Sequence, residues 1–283
     1  MTGGVPGPYS GRMVTDVTFR KGHGTGNDFI LLTDPDDVLS LTPRLVAALC
    51  DRHIGIGADG VLRAVRTDEA PGAEWFMDYR NADGSIAEMC GNGARVFARH
   101  LIDEGLTAPT SSIATRGGVR DVIVHDSGDV SVSMGPVTPL DHGITVTLGD
   151  DTYPAIGALV PNPHAVVFLP TLTGLGDISG ATAGPDGAFP DGANIEFVEP
   201  LGPNHVVMRV WERGSGETLS CGTGACAVAW AHRLRDDIEE QPVRVDVPGG
   251  SLQVTVRSDV TLTGPVEFVA RGTIDRDWWE SHS

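Results

Sequence analysis

Through most of the chain, apolar residues alternate with polar ones in short runs, broken by glycine, proline, asparagine and aspartate. Period-two alternation over four to eight residues is the mark of a half-buried strand. In the first half it predicts strands over 14–19, 28–32, 60–65 and 74–79, then over 111–115, 119–124 and 129–134. Two stretches change to helical spacing. One covers 43–53, with Thr42 as its cap and Gly55 as its stop; the other covers 93–104, with Val96, Phe97, His100 and Leu101 on one face and Gly105 as its stop. In the second half the pattern predicts strands near 143–148, 152–159, 164–169, 194–198 and 205–211. A helix over 224–234 and strands near 243–247, 252–257 and 260–263 follow. Residues 172–192 are rich in Gly, Pro and Asp and read as a long loop carrying one short helix.

The two halves repeat each other. Cys90 opens CGNGAR and Cys221 opens CGTGAC, 131 residues later, and each precedes an apolar helical run. Gly117-Gly118 and Gly249-Gly250 both sit between strand-patterned runs, as hairpin turns do. GDVSVSMGPV at 128–137 returns as SDVTLTGPV at 258–266. Matched features in one order at a nearly constant offset indicate two copies of one unit. Strands outnumber helices, which disfavours a doubly wound parallel fold. The expected fold is α+β: two pseudo-symmetric lobes, each a curved, mostly antiparallel sheet around its motif helix, with the active site in the cleft between them. The expected divisions are a disordered extension at 1–13, an N-terminal lobe of 14–135 plus 266–279, and a C-terminal lobe of 136–265. By pseudo-symmetry, a strand over 267–275 returns to complete the first lobe's sheet. Met13 is a candidate for the true start.

Composition narrows the chemistry. The 283 residues carry a net charge of −18 and no block of Lys and Arg, which argues against nucleic-acid binding. No apolar run approaches the length of a membrane span, and none resembles a signal peptide. Four cysteines do not make a disulfide framework, so the chain reads as a cytoplasmic protein with reduced thiols. Lys21 is the sole lysine and directly precedes a glycine-rich turn, which disfavours pyridoxal phosphate. The expectation is an enzyme with no cofactor and no metal.

A cysteine at a helix N-terminus faces unpaired N–H groups and the positive end of the helix dipole, a setting that favours thiolate. Two such cysteines, one in each lobe, suit the inversion of a stereocentre. One removes a proton from one face and the other delivers a proton to the opposite face. The substrate's carboxylate must then accept developing charge, and the amides beside Gly91-Asn92 and Gly222-Thr223 are candidates to stabilise it. Asn81 precedes Cys90 by nine residues, and Glu212, followed by Arg213, precedes Cys221 by nine. That divergence suggests a zwitterionic substrate whose two ends are read differently.

The segments KGHGTGNDF, RNADGSIAEMCGNGAR, NPH, FPDGANIEF and ERGSGETLSCGTGAC together resemble diaminopimelate epimerase, over nearly the whole chain from Val14 to Asp275. The resemblance implies cofactor-independent interconversion of LL- and meso-2,6-diaminopimelate for lysine and peptidoglycan precursor synthesis. Cys90 and Cys221 would be the acid/bases, Cys90 acting first as base on the LL isomer. Asn27, Asn81, Asn162, Asn194, Glu212 and Arg213 would bind substrate, with the Gly91, Asn92, Gly222 and Thr223 amides. The family's habit implies a homodimer. One departure is Gly60, where many relatives carry glutamine.

Other readings compete with these. Cys50 and Cys226 lie in apolar helical runs and read as core, and the absence of any CxxC pair disfavours a four-thiolate zinc site. His23 reads as structural; His164 either positions its loop or lines the site. A two-cysteine racemase of proline or hydroxyproline, a redox sensor closing Cys90–Cys221, and a non-catalytic diaminopimelate-binding protein are the functional alternatives.

Overall fold

The computed structural model describes residues 16–140, 143–185, 187–236 and 241–283. The expected extension at 1–13 lies outside the described residues, as do Val14 and Thr15 of the first expected strand.

Each half runs through the same series. In the first, Val17–Gly24 pairs antiparallel with Asn27–Thr33, which lies parallel to Gly60–Arg66. Trp75–Asn81 is antiparallel to that strand and parallel to Thr110–Thr115, and the antiparallel strands Gly118–Val124 and Val130–Gly135 close the series. In the second half the corresponding strands are Ile156–Val160, Asn162–Phe168, Asn194–Gly202, His205–Glu212, Val243–Val247, Gly250–Val256 and Val260–Gly264. They show the same alternation of parallel and antiparallel neighbours. The halves join where Val130–Gly135 runs antiparallel to Val260–Gly264, pairing Val132 with its own counterpart Leu262. Thr138–Pro139 crosses to Ile156–Val160, and Glu267–Ile274 crosses back to Val17–Gly24.

Four helices complete the described fold: α1 (Pro43–Cys50), α2 (Gly91–Asp103), α3 (Gly222–Asp236) and α4 (Arg276–His282). The sheet of each half curls around its motif helix. Helix α2 packs on Val17–Gly24, Asn27–Thr33, Gly118–Val124 and Val130–Gly135, while α3 packs on Ile156–Val160, Asn162–Phe168, Asn194–Gly202 and Gly250–Val256. Both helices are buried along most of their length, with Ala94, Val96, Phe97 and Ala98 matched by Ala225, Ala227, Val228 and Ala229 in the core. Gly105 at φ +70 ends the turn after α2. The hairpin glycines Gly118 and Gly250 lie at φ +101 and +142, which other residues rarely adopt.

Several elements differ from the sequence expectation. Helix α1 starts where Thr42 Oγ1 accepts from Leu45 N, but it ends at Cys50 rather than His53. Asp51 Oδ1 accepts from the amides of His53 and Ile54 at 2.7 and 2.9 Å, turning the chain out of the helix. The run near 152–159 divides: Asp151–Pro154 pairs with Thr145–Leu148 in a separate three-stranded sheet, and Ile156–Val160 joins the main one. The short helix expected within 172–192 is not found among the described residues. Gly174, Gly176 and Gly180 there take positive φ, and Thr182–Gly184 pairs as a strand with Thr145–Leu148. Helix α4, capped by Asp275 Oδ1 on Trp278 N, places Trp279 in the cluster around α1.

Candidate active site

The duplicated topology brings the two motif helices together end to end. A Cβ on Gly222 would stand 3.3 Å from Gly91 Cα and 3.4 Å from Asn92 N, tighter than most side chains sit, so glycine favours this close approach of the two N-termini. Cys90 is the N-cap of α2, its Sγ accepting from Gly93 N at 3.3 Å. Cys221 stands in the same relation to α3, its Sγ accepting from Gly224 N at 3.3 Å and contacting Thr223 Oγ1 at 3.4 Å. Both thiols are free. They open on one cleft of about 1190 Å³, lined from both halves.

Asn27, Asn81, Gly91, Asn92, Asn162, Glu212, Arg213, Gly222 and Thr223 all line that cleft with the two cysteines. Asn81 and Glu212 end equivalent strands, which explains their common nine-residue distance from the thiols. Asn27 Oδ1 faces the Cys90 thiol at 3.6 Å and the Asn92 amide at 3.4 Å, and its Nδ2 donates to Asp59 at 2.8 Å. Thr218 Oγ1 donates to Glu212 Oε1. Asn194 does not line the cleft. It is buried, its Oδ1 taking Arg213 N at 3.0 Å and its Nδ2 donating to Pro163 O at 3.3 Å, and so it holds Arg213 and the Asn162-Pro163 segment in place.

The thiolate expected from the helix termini is opposed by burial. Loss of solvent outweighs the Gly93 amide and pushes the Cys90 thiol up to about 11, with the Glu212 carboxylate adding to the rise. Cys221 is pushed well above its usual range, first by burial and then by Glu212 and Glu196. The same desolvation raises Glu212. Burial thus opposes the thiolate at both sulfurs, and the helix-terminus amides only moderate the penalty.

One strong feature was not singled out in the sequence. Glu196 lies beneath α3, where a Cβ on Gly224 would stand 2.7 Å from Glu196 Oε1. Its partner is His164, with Nδ1 at 2.7 Å, while His164 Nε2 lies 3.0 Å from Asn162 Oδ1. The equivalent place beneath α2 is apolar: a Cβ on Gly93 would meet Leu62 at 3.4 Å and Phe29 at 3.5 Å. The available signal was a glutamate inside the otherwise apolar run NIEFV. His164 is fully buried and reaches the site through Asn162. Cys50 and Cys226 are buried in the cores, and His23 does not line the cleft but accepts at 3.4 Å from the amide of Gly26, which does.

The profile of the diaminopimelate epimerase family matches residues 19–140 and 158–269. The chain is 50% identical to diaminopimelate epimerase of Streptomyces coelicolor, over 95% of this chain and 99% of that one. It is 45% identical to the enzyme of that name from Rhodococcus erythropolis, over 94% and 98%. A hydroxyproline epimerase from Agrobacterium vitis shares the two-lobed fold, with a TM-score of 0.69 at 13% identity over 94% of each chain.

Proposed function

The chain belongs to the diaminopimelate epimerase family, and we propose that it epimerises LL- and meso-2,6-diaminopimelate by passing protons between the substrate and two thiols, Cys90 and Cys221. The observation that carries the two-base reading is the meeting of two cysteine-capped helix N-termini in one cleft.

The reacting centre lies between the sulfurs. One thiol ionises and takes the α-proton; the other, on the opposite face, gives its proton to the carbanion, so the configuration inverts. The two then hold exchanged protonation states. The substrate's α-carboxylate lies at the abutting helix ends, where the Gly91, Asn92, Gly222 and Thr223 amides stand outside the helical ladders and face developing negative charge. Gly93 N and Gly224 N are directed at the sulfurs, so each lowers the cost of a thiolate beside it. Excluding water on binding strengthens these contacts. The zwitterionic substrate is read by Glu212, Arg213 and the side chains of Asn27, Asn81 and Asn162, with Glu212 suited to an ammonium and Arg213 to a carboxylate. Asn194 positions Arg213 rather than touching the ligand.

The enzyme is an isomerase of lysine biosynthesis, as its relatives' shared name supports. Four free thiols favour a cytoplasmic setting, and no helix among the described residues is long and apolar enough to cross a membrane. A homodimer is proposed on the family's habit. Incubating the reduced protein with LL-diaminopimelate in D2O and following the α-position by NMR tests the reading. Epimerisation with α-deuterium uptake is expected; absence of exchange under reducing conditions overturns it.

A further inference from the structure

Arg95 and Cys226 occupy equivalent places, each five residues after the cysteine that precedes its helix. Both are fully buried. An arginine withdrawn from water normally brings a carboxylate with it. Arg95 does not. Its Nη2 donates to Thr25 Oγ1 at 3.3 Å, and Nε and Nη1 meet no acceptor among the described residues. Cys90, Cys226 and Asp129 act on it, in that order, only through their fields. The guanidinium is nevertheless closely fitted: a Cβ on Gly24 would stand 2.9 Å from Nη2, and one on Gly264 would stand 3.3 Å from Nε. Glycines on two separate strands make room for this one cation.

A buried, unpaired cation is a source of positive potential in a medium that screens it poorly. The sulfur that caps its own helix is Cys90. A polar path also connects them: Thr25 Oγ1 meets Ser220 Oγ at 2.6 Å, and Asn92 Nδ2 donates to Ser220 O at 3.0 Å. Asn92 Nδ2 also approaches Asn27 Oδ1, which faces the Cys90 thiol. Cys90 otherwise faces Glu212 and the Tyr79 phenol. Cys221 has no such cation on its helix, since the equivalent of Arg95 is the neutral Cys226. It faces Glu212 and Glu196, and the imidazole in its neighbourhood, His164, is held by Glu196. The helix termini are common to both sulfurs; Cys90 is the less buried of the two, which works in the same direction as the Arg95 charge.

We propose that Arg95 is a positioning residue for the proton transfer, its unpaired buried charge making Cys90, rather than Cys221, the sulfur that ionises. This rests on the two cysteines being the acid/base pair. The Cys90 proton leaves for solvent through the open cleft as substrate enters. The thiolate becomes the counter-ion that Arg95 lacks and takes the α-proton, and Cys221, still a thiol, protonates the opposite face.

The test alkylates ligand-free protein with iodoacetamide from neutral to alkaline pH and locates the modified cysteines by peptide mass spectrometry. In Arg95→Met, the Cys90 alkylation profile is expected to move up by about one pH unit, so that Cys90 reacts about tenfold more slowly at a fixed pH below it. The Cys221 profile should stay in place. Arg95→Lys, which keeps the charge, should return Cys90 to near its original rate. An unmoved Cys90, or both cysteines moving together, overturns the assignment. Arg95→Gln gives the same reading should the methionine variant not fold, and failure of both neutral variants to fold would make Arg95 structural and equally overturn it. Alkylation needs no turnover, so its outcome is separate from that of deuterium exchange.

Discussion

His164 Nδ1 and Glu196 Oε1 lie 2.7 Å apart beneath Cys221, and neither side chain reaches solvent. The register makes Phe29 and Leu62 their counterparts in the first half. Removing one member of a buried hydrogen-bonded pair leaves the other unsatisfied, whereas replacing both with apolar groups is far less costly. Glu196→Leu alone should therefore cost about 3–5 kcal/mol of stability, and His164→Phe with Glu196→Leu together about 2 kcal/mol or less. Urea unfolding of the two single variants and the double variant measures the coupling; strictly additive costs would refute it.

Cys90→Ala and Cys221→Ala should each lower turnover by about 10³-fold or more while leaving the fold intact, because a missing acid or base is not replaced from the other lobe. Polarimetric or NMR assay of epimerisation, with circular dichroism as the control for folding, checks this. Substantial residual epimerisation in either variant would contradict the two-base reading.

Gly222→Ala forces a methyl group to within 3.0 Å of Leu262 Cδ2 and 3.3 Å of Gly91 Cα. The helix ends must part to accept it. The expected result is a loss of about tenfold to a hundredfold in kcat/KM, with a change in stability of about 1–3 kcal/mol. Kinetics that match the parent enzyme would mean that the close approach of the helices is not needed.

Alkali should destabilise the protein through its buried thiols. Burial pushes Cys50 and Cys226 up to about 12, from a reference of 9.0. Below about pH 9 these thiols are protonated in both the folded and unfolded chains and contribute no pH dependence. Between about pH 9 and pH 12 the unfolded chain ionises first, so stability falls by up to about 1.4 kcal/mol per pH unit for each such thiol. Cys226→Ala should reduce that slope by about one proton, as read from urea midpoints across the alkaline range.

The repeated fold was legible because each half has to bury the same faces. The CGxGA motifs, the paired glycine hairpins and the strand alternation carry that information locally. The two thiols and nine of the ten residues expected to bind substrate line the cleft, placed there by the same repeated pattern. What escaped depended on contacts across the chain. Arg95 reads as one more helical residue until Gly24 and Gly264 are seen to make space for it. Glu196 looks like an ordinary strand residue until the parallel register sets it beside Val166, within reach of His164. Asn194 stands in the motif FPDGANIEF, yet it does not line the cleft and its side chain is taken up by Arg213 N and Pro163 O. At the thiols two effects oppose each other: a helix terminus offers a few N–H groups that favour thiolate, and burial removes a hydration shell, which the sequence pattern does not show.

The strand Glu267–Ile274 lies along Val17–Gly24, the first strand described, although nearly the whole sequence separates them. During synthesis the first lobe therefore waits with an open sheet edge, for tens of seconds at ordinary translation rates of about 5–20 residues per second. Through that interval Val17–Gly24 is available to any other unpaired strand, including one from a neighbouring nascent chain. The vulnerable interval thus lasts until Glu267–Ile274 has left the ribosome and paired, and that strand acts as the latch that ends it.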